Sequence, residues 1–533
     1  MSTTSVTVCQ PVLIGGQWRE ASFDKTFQST NPSDYSAIPR EYPISTWDDI
    51  DEALTAAADA ATQLRQLPME SIARFLELFA DRIQQNQAML VDVAHQETGL
   101  AKTPRLADVE LPRTFNQLRL AAAAARCGDW AGPVIDTKAG IRSMMEPLGP
   151  VWVFGPNNFP FAFNSAAGGD FASAIAAGNP VIAKANSSHP ETTRLFAALA
   201  KDAADEVGLP AATVQLIYRT SHADGERMVS DHRCGATGYT GSRSAGLTLK
   251  AAADAAGKPI YLELSSVNPV VIMPEALDER CDKIVDEYVT SVLMGAGQMC
   301  TNPGMVLLVK SESSDRFVDA VSSRFASTPS GTLLSPAVAK SLVASISTLA
   351  DGGAKIVTGG GPGETRRCSV SNTLLKTNAA TFLRDPEVFQ TEAFGNAALV
   401  VVADSVDELI TVIESLEGNL TGCIYSATGG DESSYDRIAF ALIPKVGRFL
   451  NDKMPTGVAV SPAMNHGGPY PATGHPAFTA VGIPASMIRF GKLSCYDNVR
   501  HARLPQLLQD KNHFGTWRRI DGRWTTDDVG SLK

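Results

Sequence analysis

The sequence predicts an α/β fold organised around a doubly wound, mostly parallel sheet. The chain has 533 residues, more than one domain usually contains, so several folded units are expected. It is 44% hydrophobic and 19% charged, which provides the apolar material for large packed cores and excludes general disorder. From Val151 onward, short apolar runs alternate with helical segments. This alternation is typical of a parallel sheet with helices on both faces.

The segment before this alternation is predicted to be helical, after a polar, turn-rich opening that ends near Pro43. The first helix starts near Thr46, whose hydroxyl suits the N-cap and is followed by two aspartates in the first turn. A second helix is predicted over 69–96, because apolar residues recur there at helical spacing. They are Ile72, Phe75, Leu76, Phe79 and Ile83. An alanine-rich helix is expected over 117–126.

The alternating region predicts strands and helices in turn. The predicted strands cover 151–154, 180–183, 214–218, 236–240 and 260–264. The predicted helices cover about 165–177, 190–206, 222–231 and 243–255. Pro190 suits the first turn of a helix and Gly208 suits the position just after its end. Strands and helices in this order form a sheet that binds ligands beyond the carboxyl ends of its strands.

Composition excludes several classes of function. There are 46 Lys and Arg against 57 Asp and Glu, and the net charge of −11 argues against nucleic acid or an anionic membrane as a partner. No apolar run approaches the roughly 18 residues of a membrane span, and the N-terminus does not resemble a signal peptide. Eight cysteines without a CxxC pair argue against a disulfide scaffold, and eight histidines without HExxH spacing argue against a catalytic metal. We therefore expect a soluble, cytoplasmic protein.

A phosphate-binding turn is the first candidate site. No GxGxxG follows the first predicted strand, and no GxxxxGK[ST] pattern occurs. The segment TGSRSAG at 240–246 leaves a strand and enters a helix. Gly241 allows a tight turn there, and Ser242 with the helix N-terminus can face a pyrophosphate. A purely structural turn is the alternative interpretation.

Five motifs occur in the order found in aldehyde dehydrogenases. They are GPNNFP at 155–160, YTGSRSAG at 239–246, YLELSSVNP at 261–269, GQMCTNPG at 297–304 and TEAFGN at 391–396. The chain therefore resembles this family from about residue 10 to residue 500. The resemblance implies oxidation of an aldehyde with a nicotinamide cofactor. A catalytically silent relative with a structural or binding role is the remote alternative.

The resemblance implies three catalytic residues. Cys300 matches the nucleophile, which adds to the carbonyl and forms a thiohemiacetal and then a thioester. Glu263 matches the general base that activates water, and its presence favours hydrolysis to a free acid over transfer to coenzyme A. Asn158 matches the amide that stabilises the oxyanion together with the Cys300 backbone N–H. Asn157 departs from the Trp or Ser usual at its position.

The resemblance also implies cofactor-binding residues in addition to Gly241 and Ser242. Lys184 matches a lysine at the adenine ribose. Ser187 stands where NAD-preferring relatives carry a glutamate, so repulsion against a 2′-phosphate is absent and NADP is expected to be preferred, with NAD admissible. Arg219 is a candidate second partner of that phosphate. Glu392 and Phe394 match the pair that holds the nicotinamide ribose and ring.

A narrower resemblance concerns the substrate. The run at 159–185, the motif ELSSVNP and the stretch at 461–482 are similar to α-ketoglutaric semialdehyde (2,5-dioxovalerate) dehydrogenases, which form 2-oxoglutarate. NADP-linked fatty aldehyde dehydrogenases share much of this pattern and are the alternative. A site for dioxovalerate should present a cation to the distal carboxylate, whereas a fatty-aldehyde tunnel should be apolar. The sequence does not name that cation.

The family architecture implies three folded parts. A dinucleotide-binding domain is expected over 1–137 and 151–265, a catalytic domain over 266–450, and an oligomerisation element over 138–150 and 485–503. Active-site loops are expected over 451–484 and a separate tail over 504–533. We expect a homodimer or homotetramer, because an exposed strand pair offers an edge for pairing. Trp517 and Trp524 are expected to dock the tail, and the loop with His466 and His475 is interpreted as a structural turn region near the active-site mouth.

Overall fold

The computed structural model describes residues 9–430 and 432–530; the outermost residues of the predicted first domain and tail lie outside this range. Its first sheet confirms the doubly wound α/β prediction. In spatial order the strands are Ile260–Glu263, Ala236–Thr240, Val151–Phe154, Val181–Lys184, Val214–Ile217, Val12–Ile14 and Gln17–Arg19. The first five are parallel, and they agree with the predicted strands to within one residue at each end. The last two join the sheet antiparallel.

The helices of the described residues pack on the faces of the sheets. In chain order they are α1 (Trp47–Leu64), α2 (Met69–Gln85), α3 (Gln87–Thr98), α4 (Leu111–Cys127), α5 (Gly169–Ala176), α6 (Pro190–Val207), α7 (His222–Ser230), α8 (Arg243–Ala255), α9 (Pro274–Leu293), α10 (Glu312–Ser327), α11 (Pro336–Asp351), α12 (Ala379–Phe382), α13 (Pro386–Phe389), α14 (Val406–Glu414) and α15 (Glu432–Leu442). A π-helical segment, Lys102–Glu110, precedes α4. None of these helices is both long and apolar enough to cross a membrane.

The prediction of a single helix over 69–96 is wrong, because the segment contains two helices. The chain breaks at Asn86, which ends α2 and begins α3, with φ −105° and ψ 19°. The Asn86 side chain donates to the carbonyl of Arg82 at 2.8 Å and thereby satisfies one end of α2. The apolar stripe itself was predicted correctly, because Ile72, Phe75, Leu76, Phe79 and Ile83 are all buried.

The second sheet carries the remainder of the central core. In spatial order its strands are Lys355–Thr358, Thr373–Asn378, Ala397–Ala403, Met305–Val309, Pro269–Ile272, Asn419–Tyr425 and Val446–Asn451. All neighbours are parallel except the first pair. Apolar clusters cover both faces, so most residues of the inner strands are buried.

The third sheet contains more of the C-terminus than the sequence suggested. Its strands are Gly491–Asp497, Ile141–Pro147, Val134–Asp136, Arg518–Ile520 and Arg523–Thr525, in that order, while Phe23–Phe27 and Tyr42–Ser45 form a separate pair. Trp517 and Trp524 do not dock the tail, since they are 53% and 59% exposed. Arg518 instead holds the tail together internally, since it is buried and donates to the carbonyls of Gln509, Asp510 and Asp527. Pairing of Arg519 with Val134 joins the tail to the sheet.

Candidate active site

A cleft opens where the strand order of the first sheet reverses. The strands ending at Phe154 and Thr240 are neighbours here, and their connections leave in opposite directions. The cleft has a volume of about 780 Å³ and lies beyond the carboxyl ends of these strands. This is the position in which doubly wound sheets bind their ligands.

The structure brings most of the predicted cofactor residues into this cleft. Lys184, Ser187, Arg219, Gly241 and Ser242 all line it. Ser242 precedes the first residue of α8, so the N-terminus of that helix faces the cleft. Gly241 is needed for close packing, because a Cβ there would lie 2.7 Å from the Tyr239 hydroxyl.

Two cations in the cleft lack counter-ions. Among the described residues, neither Lys184 nor Arg219 forms an ion pair. Burial, and then the charge of Arg219, lower the pKa of Lys184 to about 8. Its Nζ lies 5.5 Å from the centroid of the Phe154 ring. The cleft therefore offers positive charge to an anionic ligand, and Ser187 beside these residues is exposed.

The loop that carries Cys300 is held by residues of the recognised motifs. Gly297 has φ +72°, and a Cβ there would lie 2.0 Å from the carbonyl oxygen of Gly395, so only glycine fits. Asn268 donates to the carbonyl oxygens of Cys300 and Asn302, both at 2.9 Å. The spacing of the motifs thus reflects contacts that fix the nucleophile loop.

Cys300, His466 and Glu263 form a connected group. The Cys300 Sγ lies 3.4 Å from Nε2 of His466, and the same nitrogen lies 2.8 Å from Oε1 of Glu263. His466 and Glu263 are buried, and Oε2 of Glu263 has no partner among the described residues. Burial lowers the pKa of His466, but the charges of Glu263 and Cys300 outweigh burial and raise it to about 10. An imidazolium placed there stabilises negative charge on both neighbours.

This group is also the site at which a metal could bind. One ligand atom from each of its three residues lies within 4.8 Å of the others. Thiolate, imidazole and carboxylate are zinc ligands. The same three groups constitute a nucleophile with a base and an acid, so their proximity does not require a metal. The sequence prediction of no metal stays a prediction.

Asn158 lies beside the nucleophile loop, as predicted. Its Nδ2 donates to the carbonyl of Gln298 at 3.0 Å, which leaves one N–H of the amide for a substrate oxygen. The backbone carbonyl of Asn158 accepts from Nη2 of Arg105 at 3.0 Å, and Arg105 also pairs with the buried Glu110. Glu110 in turn accepts from the backbone N–H groups of Phe161 and Ala162. The turn that carries the amide is thus fixed by a buried ion pair.

Glu392 and Phe394 lie apart from the cleft that contains Lys184. They line a small pocket together with Met299 and Ser266, next to the nucleophile loop. Burial raises the pKa of Glu392 to about 7, against the opposing effect of hydrogen bonds from Ser265 and Ser266. The two predicted halves of the cofactor site therefore line separate pockets.

Sequence reasoning missed the contact between His466 and the catalytic residues. It assigned His466 to a turn region near the active-site mouth, and the residue does lie in a loop without regular structure. Its partners are 166 and 203 residues away in sequence, and the histidine spacing gives no local signal. Backbone pairing brings this loop in, since Glu263 bridges Thr473 and the N–H of Leu264 donates to Ala472.

Comparison with known proteins agrees with this geometry. The aldehyde dehydrogenase family profile matches residues 18–464. The chain belongs to the aldehyde dehydrogenase family. Alpha-ketoglutaric semialdehyde dehydrogenase 2 of Azospirillum brasilense is 37% identical over 93% of this chain and 96% of its own length. An alpha-ketoglutaric semialdehyde dehydrogenase of Acinetobacter baylyi is 35% identical over 96% and 97%.

The fold of this aldehyde dehydrogenase is shared with solved structures. The crystal structure of PnpE in complex with nicotinamide adenine dinucleotide has a TM-score of 0.79. It covers 92% of this chain and 98% of the PnpE chain at 22% identity, which establishes the common fold. Family membership thus rests on the profile and the two relatives, and the architecture on the structural match.

Proposed function

We propose that this aldehyde dehydrogenase oxidises 2,5-dioxovalerate to 2-oxoglutarate with NADP, and that it releases the product by hydrolysis. The observation that carries the proposal is the chain of contacts from Cys300 to His466 and from His466 to Glu263, beside the Asn158 amide. This arrangement supplies a nucleophile, a base and an oxyanion donor in one place.

Acylation begins with the Cys300 thiolate. The sulfur adds to the aldehyde carbon, and the carbonyl oxygen becomes an oxyanion that accepts from the remaining Asn158 N–H and the Cys300 backbone N–H. His466 stabilises the thiolate before attack through its contact with Sγ. Bound NADP would accept the hydride that leaves the tetrahedral carbon, and a thioester of Cys300 remains.

Deacylation requires water at the thioester carbon. Glu263 accepts a proton from that water, and the hydroxide adds to the carbonyl and expels the Cys300 thiolate. Oε2 of Glu263 is buried and has no partner among the described residues, so it is available for this water. The His466 contact with Oε1 keeps the carboxylate oriented. The products are the acid and the restored thiolate.

The cleft suits a dinucleotide with an additional phosphate. The unpaired Lys184 and Arg219 offer two cations for the 2′-phosphate, and Ser187 adds no negative charge. Glu392 and Phe394 would contact the nicotinamide ribose and ring from their own pocket beside the nucleophile loop. These features support NADP as the preferred cofactor, with NAD admissible.

The two relatives above support dioxovalerate as the substrate, because both are named for its oxidation and align over nearly the whole chain. The competing candidate is a fatty aldehyde. One observation favours it: Phe159, Phe163, Val458 and Met464 belong to an apolar cluster beside the site. A cation near this cluster would decide between the two.

We further propose a cytoplasmic homodimer or homotetramer. All eight cysteines are unpaired, as expected in a reducing compartment. The outer strands of the third sheet expose Leu493 (70%) and Trp524 (59%), which suits pairing with another copy. Light scattering after size-exclusion chromatography measures the copy number, and a monomer would contradict this part of the proposal.

Initial rates of cofactor reduction test the function. We expect the highest kcat/KM for dioxovalerate with NADP, compared with a medium-chain aldehyde and with NAD. Preference for the medium-chain aldehyde would contradict the substrate and leave the mechanism intact. Cys300→Ala should abolish hydride transfer while cofactor binding, measured by calorimetry, remains; unchanged behaviour would favour a silent structural relative.

A further inference from the structure

A cation lies beside the apolar cluster near the active site. Arg113 stands in the first turns of α4, where its guanidinium packs on the Phe163 ring with Cζ 5.2 Å from the centroid. Phe163 in turn packs against His466, with ring centroids 5.8 Å apart. One aromatic ring therefore separates this guanidinium from the imidazole that contacts Cys300.

The guanidinium of Arg113 has an unused edge. Nη1 donates to the carbonyl of Val458 at 2.9 Å, and Nε donates to the Gln117 side chain at 3.3 Å. Nη2 is buried and has no hydrogen-bond partner among the described residues. A buried donor without a partner is unfavourable, so this edge of the guanidinium is suited to bind an acceptor.

No carboxylate of the described chain neutralises Arg113 within ion-pair distance. The other arginines nearby are occupied. Arg105 pairs with Glu110, and Arg448 donates through both terminal nitrogens to the carbonyls of Gly457 and Pro455. Arg113 alone of these three leaves a complete NH₂ group unpaired. Burial lowers the pKa of its guanidinium, while the negative charges of Cys300, Glu110 and Glu263 act in the opposite direction.

We propose that Arg113 binds the distal carboxylate of the substrate through Nη2 and thereby selects an acidic aldehyde over an alkyl aldehyde. This inference rests on the proposed function, because it names the group that would recognise the acid end of dioxovalerate. Its aldehyde and carboxylate carbons are about 5 Å apart in an extended chain. The carboxylate of a substrate bound at Cys300 would therefore have to reach Nη2 past the Phe163 ring, whose centroid lies 5.2 Å from the guanidinium Cζ.

Binding of the carboxylate by Arg113 makes the apolar wall compatible with an acidic substrate. The carbon chain packs along Phe159, Phe163 and Val458, and only its end meets a charge. The carbonyl contact with Val458 fixes the guanidinium in place before substrate arrives. A pre-positioned cation loses little conformational entropy on binding.

The test compares three substrates that share a five-carbon chain: dioxovalerate, its methyl ester and pentanal. The variants are Arg113→Met, Arg113→Lys and, as a matched control on the same helix, Arg119→Met, whose native side chain pairs with Asp81 at the surface. We expect the wild type to prefer the acid over the ester. Arg113→Met should lower kcat/KM for the acid roughly 10- to 200-fold, the range for a hydrogen bond to a charged group. The values for ester and pentanal should change less than about threefold.

Arg113→Lys should retain part of the preference, which decides the question if the methionine variant does not fold. Arg119→Met should match the wild type. A wild type that oxidises acid and ester equally well, or an Arg113→Met variant that loses both to the same extent, would overturn the subsite alone. A wild type that oxidises pentanal but neither dioxovalerate nor its methyl ester would overturn the proposed substrate and the subsite together.

Discussion

We expect cofactor choice in this enzyme to depend on the balance of charge around Ser187. Replacing Ser187 with glutamate places a carboxylate in the cleft that Lys184 and Arg219 line. Ser187 is exposed, so the longer side chain fits without repacking the core. The new carboxylate pairs with the two cations and repels a 2′-phosphate, while it can accept from the ribose hydroxyls of NAD.

The size of the effect follows from the two cations. A hydrogen bond to a charged group contributes about 1.5–3 kcal/mol, so loss of both phosphate contacts costs about 3 kcal/mol at the lower end. That corresponds to roughly 150-fold in the ratio of kcat/KM for NADP over NAD. Because the carboxylate acts on cofactor binding, the ratio should change through KM more than through kcat.

Steady-state kinetics with saturating aldehyde and varied cofactor measure this ratio. Ser188→Glu is the matched control, since Ser188 is adjacent and does not line the cleft. An unchanged ratio in Ser187→Glu would refute the role given to Ser187. A wild type that already prefers NAD would refute the assignment of Lys184 and Arg219 to a phosphate.

Three further predictions follow from the cofactor cleft and the catalytic group. The KM for NADP should rise between pH 7 and 9, because Lys184, with a pKa of about 8, loses its charge in that range. A KM that stays constant over this range would contradict a contact between Lys184 and the cofactor phosphate. Asn158→Ala should lower kcat about 10²- to 10³-fold as one oxyanion donor is removed, and unchanged kcat would exclude that role. His466→Gln should destabilise the protein most at low pH: the pKa of His466 is raised from 6.5 to about 10, so its contribution is complete below pH 6.5 and is lost as pH rises through 10. Urea unfolding of both proteins at pH 6.5, 8 and 10 measures this difference, and a gap that widens with pH would contradict the predicted sign.

The parts of the fold that depend on local pattern were predicted well. Each strand of the parallel core is a short apolar run between helix signals, and periodicity suffices to find it. The sequence did not predict the break at Asn86, because the apolar stripe continues across it. Only the hydrogen bond from the Asn86 side chain to the Arg82 carbonyl marks the end of the helix. The C-terminal strands were not predicted because they are short, and because the buried side chain that organises the tail is the charged Arg518.

In the candidate active site, too, residues in local motifs were predicted and residues defined by distant contacts were not. Motifs located the catalytic cysteine, glutamate and amide, because each stands in a distinctive local sequence. The roles of these residues stay predictions, although the structure brings Cys300, Glu263 and Asn158 together. His466 and Arg113 could not be found this way, since their partners come from distant segments and neither residue has a motif of its own.

The position of His466 in the chain has a consequence for biosynthesis. The ribosome adds this residue 166 positions after Cys300, and the strand pairing of Glu263 with Thr473 must wait still longer. Until residue 466 has been added, the Cys300 thiol has no imidazole beside it, and until Thr473 has been added the Glu263 segment lacks its strand pairing. A chain that ends before residue 466 therefore carries Cys300 without the group that stabilises its thiolate.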